Sequence, residues 1–456
     1  MISLIRIIAA AALASTLPAA DFSAAKSVAA PAPYGIAGYQ PPRAWLGMPH
    51  NVAGRMPQLL SQTGAFTDLR AMTPAPGLIP YDLIVPFWSD GAAKARYMAL
   101  PKGRQIGFTP DGEWSFPPGT VFVKTFELAT DEANPQVKRR LETRLLVRDD
   151  QGGVYGVDYK WRPDNADADL LPTSLTENIP IRGRDGSIHQ QTWYYPSREN
   201  CLTCHNSHTS GVLGLKTRQL NRTLTYPSGV TDNELRTLNH LHLFDAQVSE
   251  AQLKTLPTLA SLSDTSRSIE ERARSYLDAN CGHCHRPGGT VAYFDARYST
   301  PLPKQELIDG PVLINEGIDR PHVISPHDVW RSIAYMRINT DGDIRMPPIA
   351  RETIDGQGVQ LLREWINSMP GKDVLGPPKI VPDGGSFAAA VSVTLSSADP
   401  GAQIRYTVDG SVPGPQDTLY SAPITISGPT VVRARAYKDG MTRSITSESV
   451  FIVGQP

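Results

Sequence analysis

The stretch Ser268-Ile269-Glu270-Glu271-Arg272-Ala273-Arg274-Ser275-Tyr276-Leu277-Asp278-Ala279-Asn280-Cys281-Gly282-His283-Cys284-His285 carries two signals in succession. Ser268 with Glu271 three positions on is a capping-box pattern, which opens a helix. Ile269, Ala273, Tyr276 and Leu277 then fall on one face at helical spacing, so the pattern predicts a helix whose C-terminal end delivers Cys281. The run Cys281-Gly282-His283-Cys284-His285 has one other copy in the chain, Cys201-Leu202-Thr203-Cys204-His205, 80 positions upstream, and the two copies use all four cysteines.

Cys-x-x-Cys-His is the attachment signature of c-type haem. Two thiols add across the haem vinyl groups as thioethers, and the adjacent imidazole is held against the iron. A bare Cys-x-x-Cys also reads as half a zinc site or a thioredoxin-like pair. The histidine directly after both pairs, in a chain of 456 residues with 10 histidines, argues against both. Two covalently bound haem c groups are expected, attached through Cys201, Cys204, Cys281 and Cys284, with His205 and His285 on iron.

Beyond the second motif, Asp341-Gly342-Asp343-Ile344-Arg345-Met346-Pro347-Pro348 reads as a polar loop. Val359, Leu362, Trp365, Ile366 and Met369 then mark an amphipathic helix that stops at Pro370-Gly371. This order of helix, motif, Met-Pro-Pro loop and closing helix resembles class I cytochrome c over residues 268–370. The resemblance implies Met346 as the sixth iron ligand, a soft thioether that raises the potential. Met369 lies on the apolar stripe and reads as core, and Met336 has no stiff loop around it.

The first motif has β-rich surroundings. Val121 to Phe126, Glu142 to Arg148 and Val154 to Trp161 are rich in β-branched and aromatic residues, with turn signals between them at Pro117-Pro118-Gly119 and Asp149-Asp150-Gln151-Gly152-Gly153. The run Thr192-Trp193-Tyr194-Tyr195 leads into the motif. Its sixth ligand stays open among His189, His208, His240, His242, Met48, Met56, Met72 and Met98, or as a vacant position. The stretch Phe116-Pro117-Pro118-Gly119-Thr120-Val121-Phe122-Val123-Lys124, with the motif downstream, resembles the β-sheet cytochromes c-prime and their hydroxylamine-oxidising relatives over residues 80–206. That resemblance implies an open iron face. Lys124 itself reads most simply as an outward-facing strand lysine. Pro86-Phe87-Trp88-Ser89-Asp90-Gly91, Tyr195-Pro196-Ser197-Arg198 and Val212-Leu213-Gly214-Leu215-Lys216 are similar to exported dihaem proteins, some found beside quinoprotein sugar dehydrogenases.

The remaining segments set the address and the outline. Arg6, the apolar run from Ile7 to Leu17, and Ala19-Ala20 read as a signal peptide over residues 1–20. No later apolar run reaches the ~20 residues of a membrane span, so a periplasmic or secreted address is expected. With 44 basic and 45 acidic residues, nothing points to nucleic acid or a polybasic membrane patch. From Pro377 the chain turns to short strands, among them Val432, Ala434 and Ala436 on one face against Arg433, Arg435 and Tyr437 on the other. This segment resembles the β-sandwich at the C-termini of chitobiases, an accessory module with a spacer role or contact with a surface polysaccharide.

The expected fold class is therefore multidomain: a β-rich haem domain at residues 31–265, an α-helical class I cytochrome c domain at 266–372 and a C-terminal Ig-like β-sandwich at 377–456. No paired-carboxylate, nucleophile-elbow or phosphate-loop pattern appears. The expected function is periplasmic electron transfer between a redox protein donor, such as a quinoprotein dehydrogenase, and a downstream acceptor, without a catalysed reaction of its own. The alternative is haem oxidoreductase chemistry or gas and substrate binding at an open first haem.

Overall fold

The computed structural model describes residues 32–454, so the expected signal peptide lies outside the described residues. Tyr34–Pro456 is one compact unit. It opens with a small hairpin, β1 (Phe66–Asp68) and β2 (Thr73–Pro74). The main sheet is an antiparallel meander in which sequence order and spatial order coincide: β3 (Ile79–Pro80), β4 (Ala93–Ala99), β5 (Val121–Ala129), β6 (Lys138–Arg148), β7 (Val154–Trp161) and β8 (Ala168–Leu170). A second hairpin, β9 (Leu175–Arg182) and β10 (Ile188–Tyr195), follows.

The two faces of the main sheet differ in chemistry. Because side chains alternate along a strand, Val121, Val123, Leu145, Val147, Tyr155, Val157 and Tyr159 share one face and pack into an apolar core with Met48, Met56 and Leu60. The opposite face carries three cross-strand rows. One is apolar at Met98, Phe122 and Leu146 and ends at Gly156; the next is Arg96, Lys124, Arg144 and Asp158; the third is Lys94, Phe126, Glu142 and Lys160. This charged face is covered, with Glu142, Asp158 and Arg96 all buried.

Its cover begins with α1 (Arg198–Cys204), which packs on β7. Ser197 caps this helix, and Tyr194 Oη donates to Asn200 Oδ1 at 2.7 Å, so the Tyr-Pro-Ser-Arg run is the joint between strand and helix. Short elements then close the region: α2 (Thr217–Leu220), a hairpin of β11 (Thr223–Thr225) and β12 (Thr231–Asn233), α3 (Glu234–His240) and α4 (Glu250–Leu253). Their apolar residues join Met98, Phe122 and Trp114 in a second core.

The capping box at Ser268 is present, and α5 spans Ile269–Asn280 with Cys281 as its C-cap. Next come α6 (Ile333–Ile338) and α7 (Gly356–Ser368), which ends where the Pro370-Gly371 stop was read. Helices α5 and α7 touch so closely that a Cβ on Gly358 would sit 2.3 Å from Tyr276 Cζ. The expectation of an α-helical domain here is corrected to something coarser. Among the described residues, 281–332 carry only short 3-10 turns and loops. Their prolines, glycines and aspartates break helical hydrogen bonding.

The chain ends in two sheets. One orders β13 (Lys379–Val381), β15 (Val391–Ser396) and β18 (Ile424–Ile426); the other orders β14 (Gly385–Phe387), β20 (Ser447–Val453), β19 (Thr430–Tyr437), β16 (Gln403–Thr407) and β17 (Thr418–Leu419). Their inner faces share Ile380, Val393, Leu395, Val432, Ala434 and Phe451, which makes a β-sandwich. Arg435, on the face opposite Val432, Ala434 and Ala436, is also buried, and Asp319 from another part of the chain pairs with it at 3.1 Å.

Candidate functional site

Both Cys-x-x-Cys-His motifs close the same backbone turn. His205 N donates to the Cys201 carbonyl at 2.9 Å, and His285 N donates to the Cys281 carbonyl at 2.9 Å. The first turn is the end of α1 and the second follows the end of α5. The fold brings the two copies together: one ligand atom each from Cys204, His283 and Cys284 lie within 4.8 Å of one another. All four cysteines are free thiols.

A cavity of about 180 Å³ opens between the motifs, room for several waters. Its floor is the charged sheet face, with Lys94, Arg96, Lys124, Arg144 and Gly156. Its roof holds Cys201, Cys204, His205 and the Val212-Leu213-Gly214-Leu215 run, and Gly282, His283, Ile349 and Ala350 come from the second motif's side. Gly156 is required by this approach: a Cβ there would stand 2.7 Å from the Cys201 sulfur. Sequence reasoning passed over this glycine, although an isolated glycine inside a strand pattern signals a close backbone approach.

His205 Nδ1 lies 3.0 Å from the Gly211 carbonyl, which assigns that nitrogen as donor and leaves Nε2 free to act as a ligand. Burial first, then the ammonium of Lys124, pushes its imidazole down to about 3. His285 stacks on Phe294 at 4.3 Å, and burial lowers it to about 4. Its Nδ1 is buried without a hydrogen bond. Burial raises Cys201, and burial raises Cys281 to about 12. The Cys204 and Cys284 sulfurs lie close together. Their sulfur contact raises Cys204, while the same contact, with His283 beside it, draws Cys284 down to about 4.

Lys124 corrects the sequence expectation, since it faces the cavity rather than solvent. Burial first, then the Arg144 and Arg96 guanidiniums, lowers it to about 7. On the next strands, Arg144 pairs with Glu142, and Asp158 is pushed well above the carboxylate range by burial and by Glu142.

The candidate sixth ligands of the first motif are dispersed. His189 pairs with Glu132, His240 stacks on Tyr34, and His242 is exposed. Met48 and Met56 belong to one core, Met98 to another, and Met72 packs against the first. His208 lies beside Gly288, close in sequence to the second motif. The imidazole that sequence reading missed is His283, which lines the cavity with its ring 5.4 Å from Phe87.

Met346 sits on a loop whose organiser is Arg351. This guanidinium, from a residue only 2% exposed, donates to the carbonyls of Arg337, Ile338, Thr340, Met346 and Thr353. Met369 packs against the core around α5 and α7.

The Phe-Trp-Ser-Asp run joins the two sides. Trp88 N donates to Asn280 Oδ1 at 2.7 Å, and Trp88 Nε1 donates to the Thr353 carbonyl at 3.0 Å. Asp90 Oδ1 alone accepts from Glu352 N, Thr353 N and Thr353 Oγ1. Two ion pairs add to the joint, Arg286 with Glu113 and Lys216 with Asp278.

Residues 382–448 match the family model for the chitobiase/beta-hexosaminidase C-terminal domain. The C-terminal β-sandwich is similar to that module. No curated protein matches the chain. Among the described residues, no helix is long and apolar enough to cross a membrane.

Proposed function

We propose that this chain is an exported dihaem c-type cytochrome that moves electrons between a dehydrogenase-like donor and a downstream acceptor. The observation that carries the reading is the shared local geometry of the two motifs. Each folds its histidine back over its first cysteine through one 2.9 Å hydrogen bond, with His205 further oriented by the Gly211 carbonyl. Neutral imidazoles and unpaired thiols are the donor set that covalent haem attachment requires. Bound there, haem c supplies one-electron chemistry at iron.

Each residue then has a task. Cys201 and Cys204 would tether the first group and His205 would ligate it; Cys281, Cys284 and His285 would do the same for the second. Met346, on the loop fixed by Arg351, would complete the second iron's coordination and raise its potential. Val291 and Tyr293, just after the second motif, are 83% and 57% exposed and offer apolar surface for a redox partner such as a quinoprotein dehydrogenase. The sandwich is read as a spacer, with polysaccharide contact as its second role. An open first haem would shift the reading toward oxidoreductase or gas-binding chemistry. The proximity of the motifs would let electrons pass between the two groups without a further carrier.

The Cys204-His283-Cys284 cluster favours one rival, a thiolate and imidazole centre for a soft metal ion such as zinc or copper. Intact-mass and metal analysis of the purified protein separate the two. Two added haem masses with iron and no zinc or copper are expected. A chain of bare mass carrying stoichiometric zinc or copper sinks the cytochrome reading.

A further inference from the structure

Three cationic heads crowd the ring of Phe126, a core residue on the same sheet face as the cavity floor. Lys94 Nζ lies 5.8 Å, Lys124 Nζ 5.3 Å and the Arg144 guanidinium carbon 4.5 Å from the centroid of Phe126. Arg144 is paired with Glu142, and Arg96 in the same row is paired with Asp82. The two lysines have no such counter-charge. Lys94 donates to the Phe87 carbonyl at 2.8 Å, and among the described residues Lys124 has no hydrogen bond or ion pair.

On the other walls the charges cancel, with Lys216 on Asp278 and Glu113 on Arg286. One ring quadrupole offsets only part of the cost of an uncompensated buried charge. The lysine amines therefore face Cys201, Cys204 and His205 without a carboxylate partner, and burial, with the neighbouring cations, disfavours their protonation.

We propose that this cavity binds a small inorganic monoanion, of the nitrite, azide or cyanide class, held by Lys94 and Lys124 against the first Cys-x-x-Cys-His motif. The inference rests on reading that motif as a haem site; Lys94 and Lys124 line the same cavity as Cys201, Cys204 and His205 and would draw an anion into it. A bound anion would favour the protonated form of both amines, and the sheet rows fix the two lysines on neighbouring strands, β4 and β5.

The test is a sodium nitrite titration of the ferric holo-protein, followed by absorption and EPR, with haem content determined on the same sample. Saturable spectral change is expected, with Kd raised about tenfold or more, roughly 1.4 kcal/mol, in both Lys124→Met and Lys94→Met. Lys124→Arg should keep the wild-type affinity. If Lys124→Met fails to fold or to retain haem, Lys94→Met at full haem content makes the comparison.

Protein carrying both haems that ignores nitrite, including a first haem already closed by the His283 imidazole, overturns the proposal. Unchanged Kd in the methionine variants does the same. Absence of haem overturns the cytochrome reading by itself. Calorimetric nitrite titration of that haem-free protein then decides the anion site separately: heat that disappears in Lys124→Met supports it, and no heat overturns it.

Discussion

At the scale of single residues, the site depends on atoms that are absent as much as on those present. Gly156 leaves the space that the Cys201 sulfur fills, and a methyl group there would stand 2.7 Å from that sulfur. Gly156→Ala is expected to displace α1 and to stop attachment at the first motif while the second is kept, giving a mass increase of one haem instead of two. Asp90 makes the complementary case. It holds a left-handed backbone at φ 51 and gathers three donors on one oxygen. Asparagine tolerates that backbone region and keeps the acceptor, whereas alanine does neither. Asp90→Ala should cost about 2–3 kcal/mol in denaturant unfolding, and Asp90→Asn much less. Equal losses in the two variants would show that the carboxylate charge, which both remove, matters more than the acceptor or the backbone.

At the scale of elements, local periodicity carried much of the fold, and long-range cover was invisible to it. Helices α5 and α7 and strands β5, β6 and β7 are legible because capping and alternation are properties of neighbouring residues. Alternation also places Lys124 and Phe126 on one face, but it cannot say that α1 will cover that face. Hence Lys124 read as an outward lysine and His283 went unnoticed inside its own motif. The Met346 loop looked stiff because of its prolines, yet its principal organiser is Arg351, a residue no motif marks. Arg351→Lys supplies three donors from a point charge in place of a planar fork. It is expected to destabilise the protein by about 1–3 kcal/mol and to shift the potential of the second haem in a redox titration while leaving the first unchanged.

At the scale of the whole molecule, the sandwich is docked rather than loosely tethered. Leu375 N donates to the Thr442 carbonyl at 3.0 Å, and Thr442 N donates back to the Asp373 carbonyl at 2.8 Å. His327 adds a pH-dependent contact through Asp373 at 3.1 Å. That hydrogen bond is the main cause of a His327 value raised above 6.5. A raised histidine contributes stability that is fully present below pH 6.5 and is lost as pH rises through the folded value. Melting temperature should therefore lose a small increment from slightly acidic to slightly alkaline pH. Asp373→Asn should remove that increment, and an unchanged profile in the variant would count against the contact.

The stronger tie is Asp319, which pairs with Arg331, Arg435 and Arg443. Two of these guanidiniums have side chains only 5% and 9% exposed, so they are held out of water on both sides of the joint. Removing their shared carboxylate leaves them without a full counter-charge, a loss of about 3–5 kcal/mol in comparable buried pairs. Arg331 keeps Asp328 at 2.8 Å, which limits its share, whereas Arg435 has no second carboxylate among the described residues. Asp319→Ala should thus release the sandwich rather than unfold the remainder. Limited proteolysis is expected to cut within residues 371–378 and to yield a stable fragment that retains both Cys-x-x-Cys-His motifs, with Arg443→Ala, a 39% exposed partner, behaving like wild type. Protection of that segment in Asp319→Ala would mean that apolar and backbone contacts hold the joint without the ion cluster.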